Sequence, residues 1–194
     1  MKDVVIATTN RGKFEEIRRL ISVQFENIHS LLDFDDAVVV DEDSLRYAEN
    51  AMKKARKVGE HFGIPALADD SGLEVAALGG RPGIHSSRYG SNDGERIQRL
   101  LAELEDVPWE ERKATFKAYV ALYLPQKDRC YVFYGELKGY IGFEKHGSGG
   151  FGYDPVFYSP ELGKYLAELS TEEKNTLSHR GRAIAALKKF VGNG

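Results

Sequence analysis

Asp69 and Asp70 stand side by side in the chain, and with Glu42 they form a set of carboxylates bordering expected strands or helices. Oxygen ligands of this kind suit a hard cation. Neighbouring residues on a regular strand point to opposite faces, but a turn at Ser71-Gly72 would relax that and let one carboxylate bind metal while the other faces a water. A second group is the loop Thr8-Thr9-Asn10-Arg11-Gly12-Lys13. It joins the end of an expected strand to the start of a helix, where unpaired backbone N–H groups and the helix dipole favour an anion. The loop is not a P-loop, which requires glycine at Ala7 and Ser or Thr at Phe14. A third group, Ser148-Gly149-Gly150-Phe151-Gly152-Tyr153-Asp154, sets an aromatic ring among glycines that permit close backbone approach to a ligand, so a flat base can stack on Phe151. A fourth is His179-Arg180 directly after Ser178, where a cation at a helix start needs an acceptor partner. Each group also has a plain structural reading: a capped helix, a turn, a ring in the core, an arginine paired to a surface carboxylate.

The elements that must position these groups follow from periodicity. Val4 to Thr8 reads as a strand, and Phe14, Ile17, Leu20 and Ile21 recur at helical spacing. A second stripe is Leu45, Ala48, Ala51/Met52, Ala55, Val58 and Phe62, with Arg46, Glu49, Asn50, Lys53, Arg56 and Lys57 on the other side. Gly63-Ile64-Pro65 ends it. Ala66-Leu67-Ala68 then predicts a strand, a tight turn at Asp69-Asp70-Ser71-Gly72, and another strand over Leu73 to Leu78. Ile97, Leu100, Leu101 and Leu104 mark a helix capped by Asn92 or Asp93. Strict alternation from Ala114 to Leu124 predicts a strand buried on one face. Pro125 to Asp128 turns it into a partner around Tyr131 to Leu137, and a third strand is expected near Tyr140. Ser178 as N-cap and the stripe Ala183, Ile184, Leu187, Phe190 close the chain. The pattern predicts an α/β fold with a mixed central β-sheet flanked by helices on both faces, as a single domain over residues 1–194.

Composition narrows the function. With 42% hydrophobic and 29% charged residues the chain is globular, and a net charge of −3 argues against non-specific nucleic-acid binding. An anionic ligand must therefore meet a local cluster of Lys and Arg. The single cysteine, Cys130, excludes an intramolecular disulfide and a Cys-based zinc or iron–sulfur site. No apolar run reaches the roughly 20 residues that span a bilayer, and the N-terminus lacks a signal-peptide layout. A cytoplasmic location without membrane attachment is expected.

In combination these groups carry a resemblance. The chain resembles the inosine/xanthosine triphosphate pyrophosphatases, which act on non-canonical purine nucleoside triphosphates. The matching stretches are Ala7 to Lys13, Glu49 to Arg56, Ala68 to Leu73, Leu78 to Ile84, Ser86 to Tyr89, Gly149 to Pro155, Glu172 to Asn175 and Ser178 to Gly181, in order along nearly the whole chain. The resemblance implies a mixed sheet between helices, two lobes with the substrate cleft between them, a homodimer and dependence on Mg²⁺. It implies that Thr8, Asn10 and Lys13 hold the triphosphate with Lys54, and Thr9 and Ser71 are counted with them. Glu42 and Asp69 are the implied magnesium ligands, with Asp70 counted among them and as the general base. Phe151 is implied against the purine face, with Asp154, Lys174, His179 and Arg180 around the base and sugar, and Gly152 and Tyr153 in the same loop. One departure follows Glu42, where the family often has Gly-x-Thr-Phe and this chain has Ser44-Leu45-Arg46-Tyr47. The expected reaction is hydrolysis of ITP, dITP or XTP to the monophosphate and pyrophosphate. The alternatives are a phosphatase releasing orthophosphate and a catalytically silent nucleotide-binding module. The silent module has no need for Asp69-Asp70 beside Glu42.

Overall fold

The computed structural model of the chain describes residues 2–34 and 38–192. Its first strand, β1 (Asp3–Ile6), runs into α1 (Arg11–Ile21), whose Phe14, Ile17, Leu20 and Ile21 stripe turns inward as its spacing requires. After β2 (Asn27–Ser30) comes α2 (Tyr47–Phe62). The helix begins two residues later than the stripe predicted: Leu45 lies outside it and is exposed, and Tyr47 is buried in its place. Met52 also points outward. Asn50, expected on the polar side, is buried.

The strand β3 (Ala66–Val75) corrects a sequence-based expectation. Asp69-Asp70-Ser71-Gly72 is no turn; the strand runs straight through it. The polar groups are tolerated there because each aspartate has its own partners, as described below. β3 ends in a short 3-10 turn at Ala76–Leu78 rather than continuing as strand. β4 (Pro82–Gly83) pairs back antiparallel on it, Leu73 opposite Gly83. α3 (Asp93–Glu103) follows, capped by Asn92, whose side chain accepts from the Glu95 N–H. β5 (Lys113–Leu124) alternates as expected up to Tyr119 and is then buried on both faces from Val120 to Tyr123. β6 (Arg129–Ile141) is one strand of 13 residues where two were expected. The short elements β7 (Phe157–Ser159), β8 (Lys164–Tyr165) and α4 (Thr171–Leu177) precede α5 (His179–Gly192).

The strands form one 8-stranded sheet in the order β2-β1-β3-β5-β6-β7-β8, with β4 on β3. β1 lies parallel to β2 and β3, while β6, β7 and β8 pair antiparallel, so the sheet is mixed. No helix among the described residues is long and apolar enough to cross a membrane. The chain divides into two compact units whose boundaries fall inside β3, β5 and β6 and at the start of α5: residues 1–70, 118–135 and 180–194, and residues 71–117 and 136–179.

In the first unit, α1 and α5 pack Ile17, Ile21, Ala183, Ile184 and Leu187 on Val4, Ile6, Leu67 and Val120. α2 packs Ala51, Ala55 and Val58 on Val5, Ala66, Ala68 and Ala121. Alternation along β3 explains the split, since Leu67 faces one cluster and Ala66 and Ala68 the other. Small residues let α2 come close. At Gly59 a Cβ would stand 2.6 Å from Tyr123 Cδ1, a distance real Cβ atoms do not occupy. Phe190, expected in the core stripe of α5, is partly exposed and packs on Tyr131 and Phe133.

In the second unit, Leu73, Ile97, Leu100, Leu104, Phe116, Leu137, Ile141 and Phe157 share a core. Arg112 is buried beside it, with no carboxylate partner among the described residues. Its guanidinium donates instead to three carbonyls, Val107 O at 2.8 Å, Gly142 O at 2.8 Å and Leu104 O at 2.5 Å, and it lies over the Phe143 ring at 4.1 Å. It thereby joins the end of α3 to the end of β6. Arg112→Met keeps much of the stem but removes the guanidinium donors from all three carbonyls, leaving Leu104 O with the Val107 N–H alone. We expect it to cost about 2–4 kcal/mol and to lower the melting temperature by about 5–15 °C in a thermal denaturation series. A variant that melts with the parent would show that the three contacts give no net stability.

Candidate active site

In the first unit the site begins with the loop after β1. Asn10 is the N-cap of α1, its Oδ1 accepting the Lys13 N–H at 3.0 Å, and Thr8 Oγ1 accepts the Asn10 N–H at 3.2 Å. Thr9 and Asn10 are exposed. This arrangement turns Lys13 inward, and its Nζ lies 2.8 Å from Asp69 Oδ2. The side chain of Asp69 is fully buried, and the same oxygen meets Arg180 Nη2 at 3.2 Å. Arg180 is itself buried, and its Nη1 holds Glu16 of α1 at 2.9 Å. Burial alone would push the Asp69 carboxyl up, but the charges of Arg180 and Lys13 and their hydrogen bonds hold it far below the ordinary carboxylate range.

Asp70 points to the other face of β3, as residues of opposite parity must. Its Oδ2 accepts from Asn50 Nδ2 at 3.1 Å. That amide also exchanges hydrogen bonds with the Ser44 backbone, donating to its carbonyl at 3.1 Å and accepting its N–H at 3.0 Å. Asn50 thus ties the segment carrying Glu42 to Asp70. Lys54, one turn further along α2, reaches the Asp69 carbonyl at 2.8 Å, Glu42 Oε1 at 3.2 Å and Asp70 Oδ1 at 4.0 Å. Burial raises the Asp70 carboxyl above its ordinary value, and Lys54, Lys13 and the Asn50 bond offset this only in part.

No group of three or more His, Cys, Asp or Glu side chains able to hold a metal is gathered among the described residues. Glu42, Asp69 and Asp70 are therefore not brought together as one cluster. Asp69 is engaged by Lys13 and Arg180 on one face of the strand, while Glu42 and Asp70 flank a single ammonium, that of Lys54, on the other. Two carboxylates around one positive charge fit Mg²⁺, which commonly takes one or two protein carboxylates and completes its shell with water and substrate phosphate.

In the second unit the Phe151 loop folds on itself. Asp154 Oδ2 accepts the Phe151 N–H at 2.8 Å and pairs with Lys174 Nζ at 2.5 Å. Lys174 Nζ also lies 4.3 Å from the Phe151 ring centre, a cation–π contact. Tyr153 is buried and its hydroxyl donates to the Ser86 carbonyl at 2.8 Å, so it supports the loop from within. Ser71 is half-buried in β3. His179 is buried with its ring parallel to Phe116, centroids 4.7 Å apart. His179 and Arg180, neighbours in sequence, thus have separate surroundings: a ring stack for the first, carboxylates for the second.

Sequence reasoning missed Glu16 and Asn50. Glu16 gave no signal beyond being a charged residue one turn from Lys13. Asn50 did give one, since it lies four residues before Lys54 and so on the same helix face.

A model of the Ham1 family matches residues 4–190. The chain belongs to the Ham1 family. This bears out the resemblance carried by the motifs. Among relatives, the dITP/XTP pyrophosphatase of Geobacillus kaustophilus is 48% identical over 190 residues, 96% of this chain and 93% of that protein. The dITP/XTP pyrophosphatase of Geobacter sulfurreducens is 48% identical over 99% of this chain and 98% of its own length. Among solved structures, a HAM1 protein from Coxiella burnetii superposes with a TM-score of 0.88 at 38% identity, covering all of both chains. The Ham1 protein of Staphylococcus aureus gives 0.87 at 35% identity over 98% of each chain. The mixed α/β sheet expected from the sequence is therefore the Ham1 fold.

The raised carboxyl of Asp70 has a thermodynamic counterpart. A group whose pKa is higher in the folded than in the unfolded chain favours folding only while protonated. Its ionisation therefore lowers stability as pH rises through the folded value. Asp70→Asn should raise the melting temperature of the protein at pH 8. The gain should shrink as pH falls towards the ordinary aspartate value of about 3.9. Calorimetry in chelator across that range checks this, and a gain that grew at low pH would contradict the assignment.

Proposed function

We propose that this chain hydrolyses dITP, ITP and XTP to the nucleoside monophosphate and pyrophosphate. The observation that carries the reading is the middle of β3, where one strand presents Asp69 to Lys13 and Arg180 on one face and Asp70 to Asn50 and Lys54 on the other. Full-length similarity to proteins named dITP/XTP pyrophosphatase supports it.

A triphosphate brings about four negative charges, which must be offset before a nucleophile can approach. Lys13 and Lys54 supply two positive charges, and the N-terminus of α1, with Thr8, Thr9 and Asn10 beside it, supplies backbone donors. Mg²⁺, held by Glu42 and Asp70, would supply further charge neutralisation and a lowered pKa for bound water. Asp70 accepts the proton of the water that attacks the α-phosphorus. In the metal-free chain burial makes its carboxylate a stronger base than an ordinary aspartate. The Asn50 amide holds its other oxygen and fixes its orientation. Pyrophosphate leaves with its charge met by the lysines. Asp69, already neutralised by Lys13 and Arg180, serves to hold Lys13 in place.

The second unit supplies the base site in this reading. Phe151 offers a ring for stacking, with Asp154 and Lys174 beside it, and His179, stacked on Phe116, is counted with them on the family resemblance. Donors facing the O6 carbonyl of hypoxanthine or xanthine would be left unpaired by the amino group of adenine, at about 1–3 kcal/mol for each lost partner. Arg180, engaged by Glu16 and Asp69, orients Asp69 here. We further propose a cytoplasmic homodimer, as the family resemblance implies.

Hydrolysis of dITP in ¹⁸O-water should place the label in the monophosphate. Label in pyrophosphate would mean attack at the β-phosphorus, and release of labelled orthophosphate would make the chain a general phosphatase. In steady-state kinetics Asp70→Asn should lower kcat by roughly 10²-fold or more with little change in KM, because it removes the base and keeps the shape. Lys13→Ala should weaken KM as well as kcat. Near-full turnover by Asp70→Asn would assign the base elsewhere.

A further inference from the structure

α3 starts with a carboxylate that its own helix does not need as a cap. Asn92 is the N-cap, its side chain holding the Glu95 N–H at 3.0 Å. Asp93 is thereby free to reach out of the helix. Its Oδ2 accepts the N–H of Gly152, 59 residues later in the chain, at 2.7 Å, and its Oδ1 is held by Arg96 Nη1 at 2.6 Å.

The donor is the peptide that follows Phe151. The peptide that precedes Phe151 gives its N–H to Asp154 Oδ2 at 2.8 Å. The two peptide groups on either side of the Phe151 Cα are therefore each held by a carboxylate, one local and one from α3. Gly152 has φ +63, a left-handed conformation that side-chain-bearing residues rarely adopt, so the chain direction after Phe151 depends on this turn being held. Hydrogen bonds from an N–H to an ionised carboxylate are short and about twice as strong as neutral ones.

We propose that Asp93 is a positioning residue for the base, fixing the Phe151 ring through the Gly152 N–H and so setting affinity for the purine without touching it. The inference rests on the reading of Phe151 as the base platform. Arg96 completes the device by orienting the carboxylate along α3. Asp93 is near the surface, its side chain 47% exposed, so replacing it leaves the core of the second unit intact.

The test compares the full-length parent, Asp93→Ala and Asp93→Asn with Mg²⁺, measuring KM and kcat for dITP and inhibition by inorganic tripolyphosphate, which has no base. Asp93→Ala should raise KM for dITP about tenfold, the loss of one hydrogen bond to a charged group, with kcat within about twofold. Inhibition by tripolyphosphate should not change. Asp93→Asn, which keeps an acceptor oxygen, should recover most of the affinity and carries the test should the alanine variant fold poorly. A parent inert towards dITP overturns the functional reading and this inference with it. An active parent whose variants keep its KM, or lose dITP and tripolyphosphate binding equally, overturns this inference alone.

Discussion

Everything in the first unit answers to one carboxylate that has left water. Moving an ion of this kind into a protein interior costs several kcal/mol even after relaxation, unless opposite charge arrives with it. Asp69 meets two cations, and one of these, Arg180, meets a second buried anion, Glu16. The four charges sum to zero. The balance fixes more than electrostatics: Lys13 and Glu16 come from α1, Arg180 from α5, and Asp69 from β3. The helices that cover this face of the sheet are tied to one strand by charge as well as by Ile17, Ile184 and Leu187.

The same strand then uses its alternation to give two chemically equal residues unequal basicity. Asp69, surrounded by cations, is a very weak base, whereas Asp70, desolvated with only partial compensation, is a better one. Separating pKa values by environment is how carboxylates of one type acquire distinct roles. A turn at Ser71-Gly72 would have blurred that separation, because both side chains would have shared one surrounding.

The residues able to do chemistry were legible in the sequence because their types are costly to place without purpose: adjacent aspartates, a lysine at a helix start, an aromatic among glycines. Helices and long strands were legible from period. The path of β3 was not, since Asp-Asp-Ser-Gly has the composition of a turn and becomes strand only when helices bring partners for both aspartates. Turn-like composition is a local preference; the partners are 111, 56 and 20 residues away in the chain, at Arg180, Lys13 and Asn50. β6 was read as a strand around Tyr131 to Leu137 and another near Tyr140, and it runs through both without interruption. Glu16 and Asn50 were missed because a polar residue on a helix is taken as solvated unless something across the fold claims it.

The contact of α2 with Tyr123 gives the groups around Asp70 a mechanical origin. A helix transmits displacement along its axis almost as a rod, at 1.5 Å per residue. Gly59 is the fulcrum where this rod rests on the sheet, and Lys54 and Asn50 ride on it at about 8 Å and 14 Å. Any side chain at position 59 must lift the helix or displace the Tyr123 ring. The alignment of the lysine and amide at Asp70 is thus set partly by the absence of a methyl group about one and a half and two and a half turns away. Tolerance to substitution in this protein is therefore a matter of leverage as much as of distance from the chemistry.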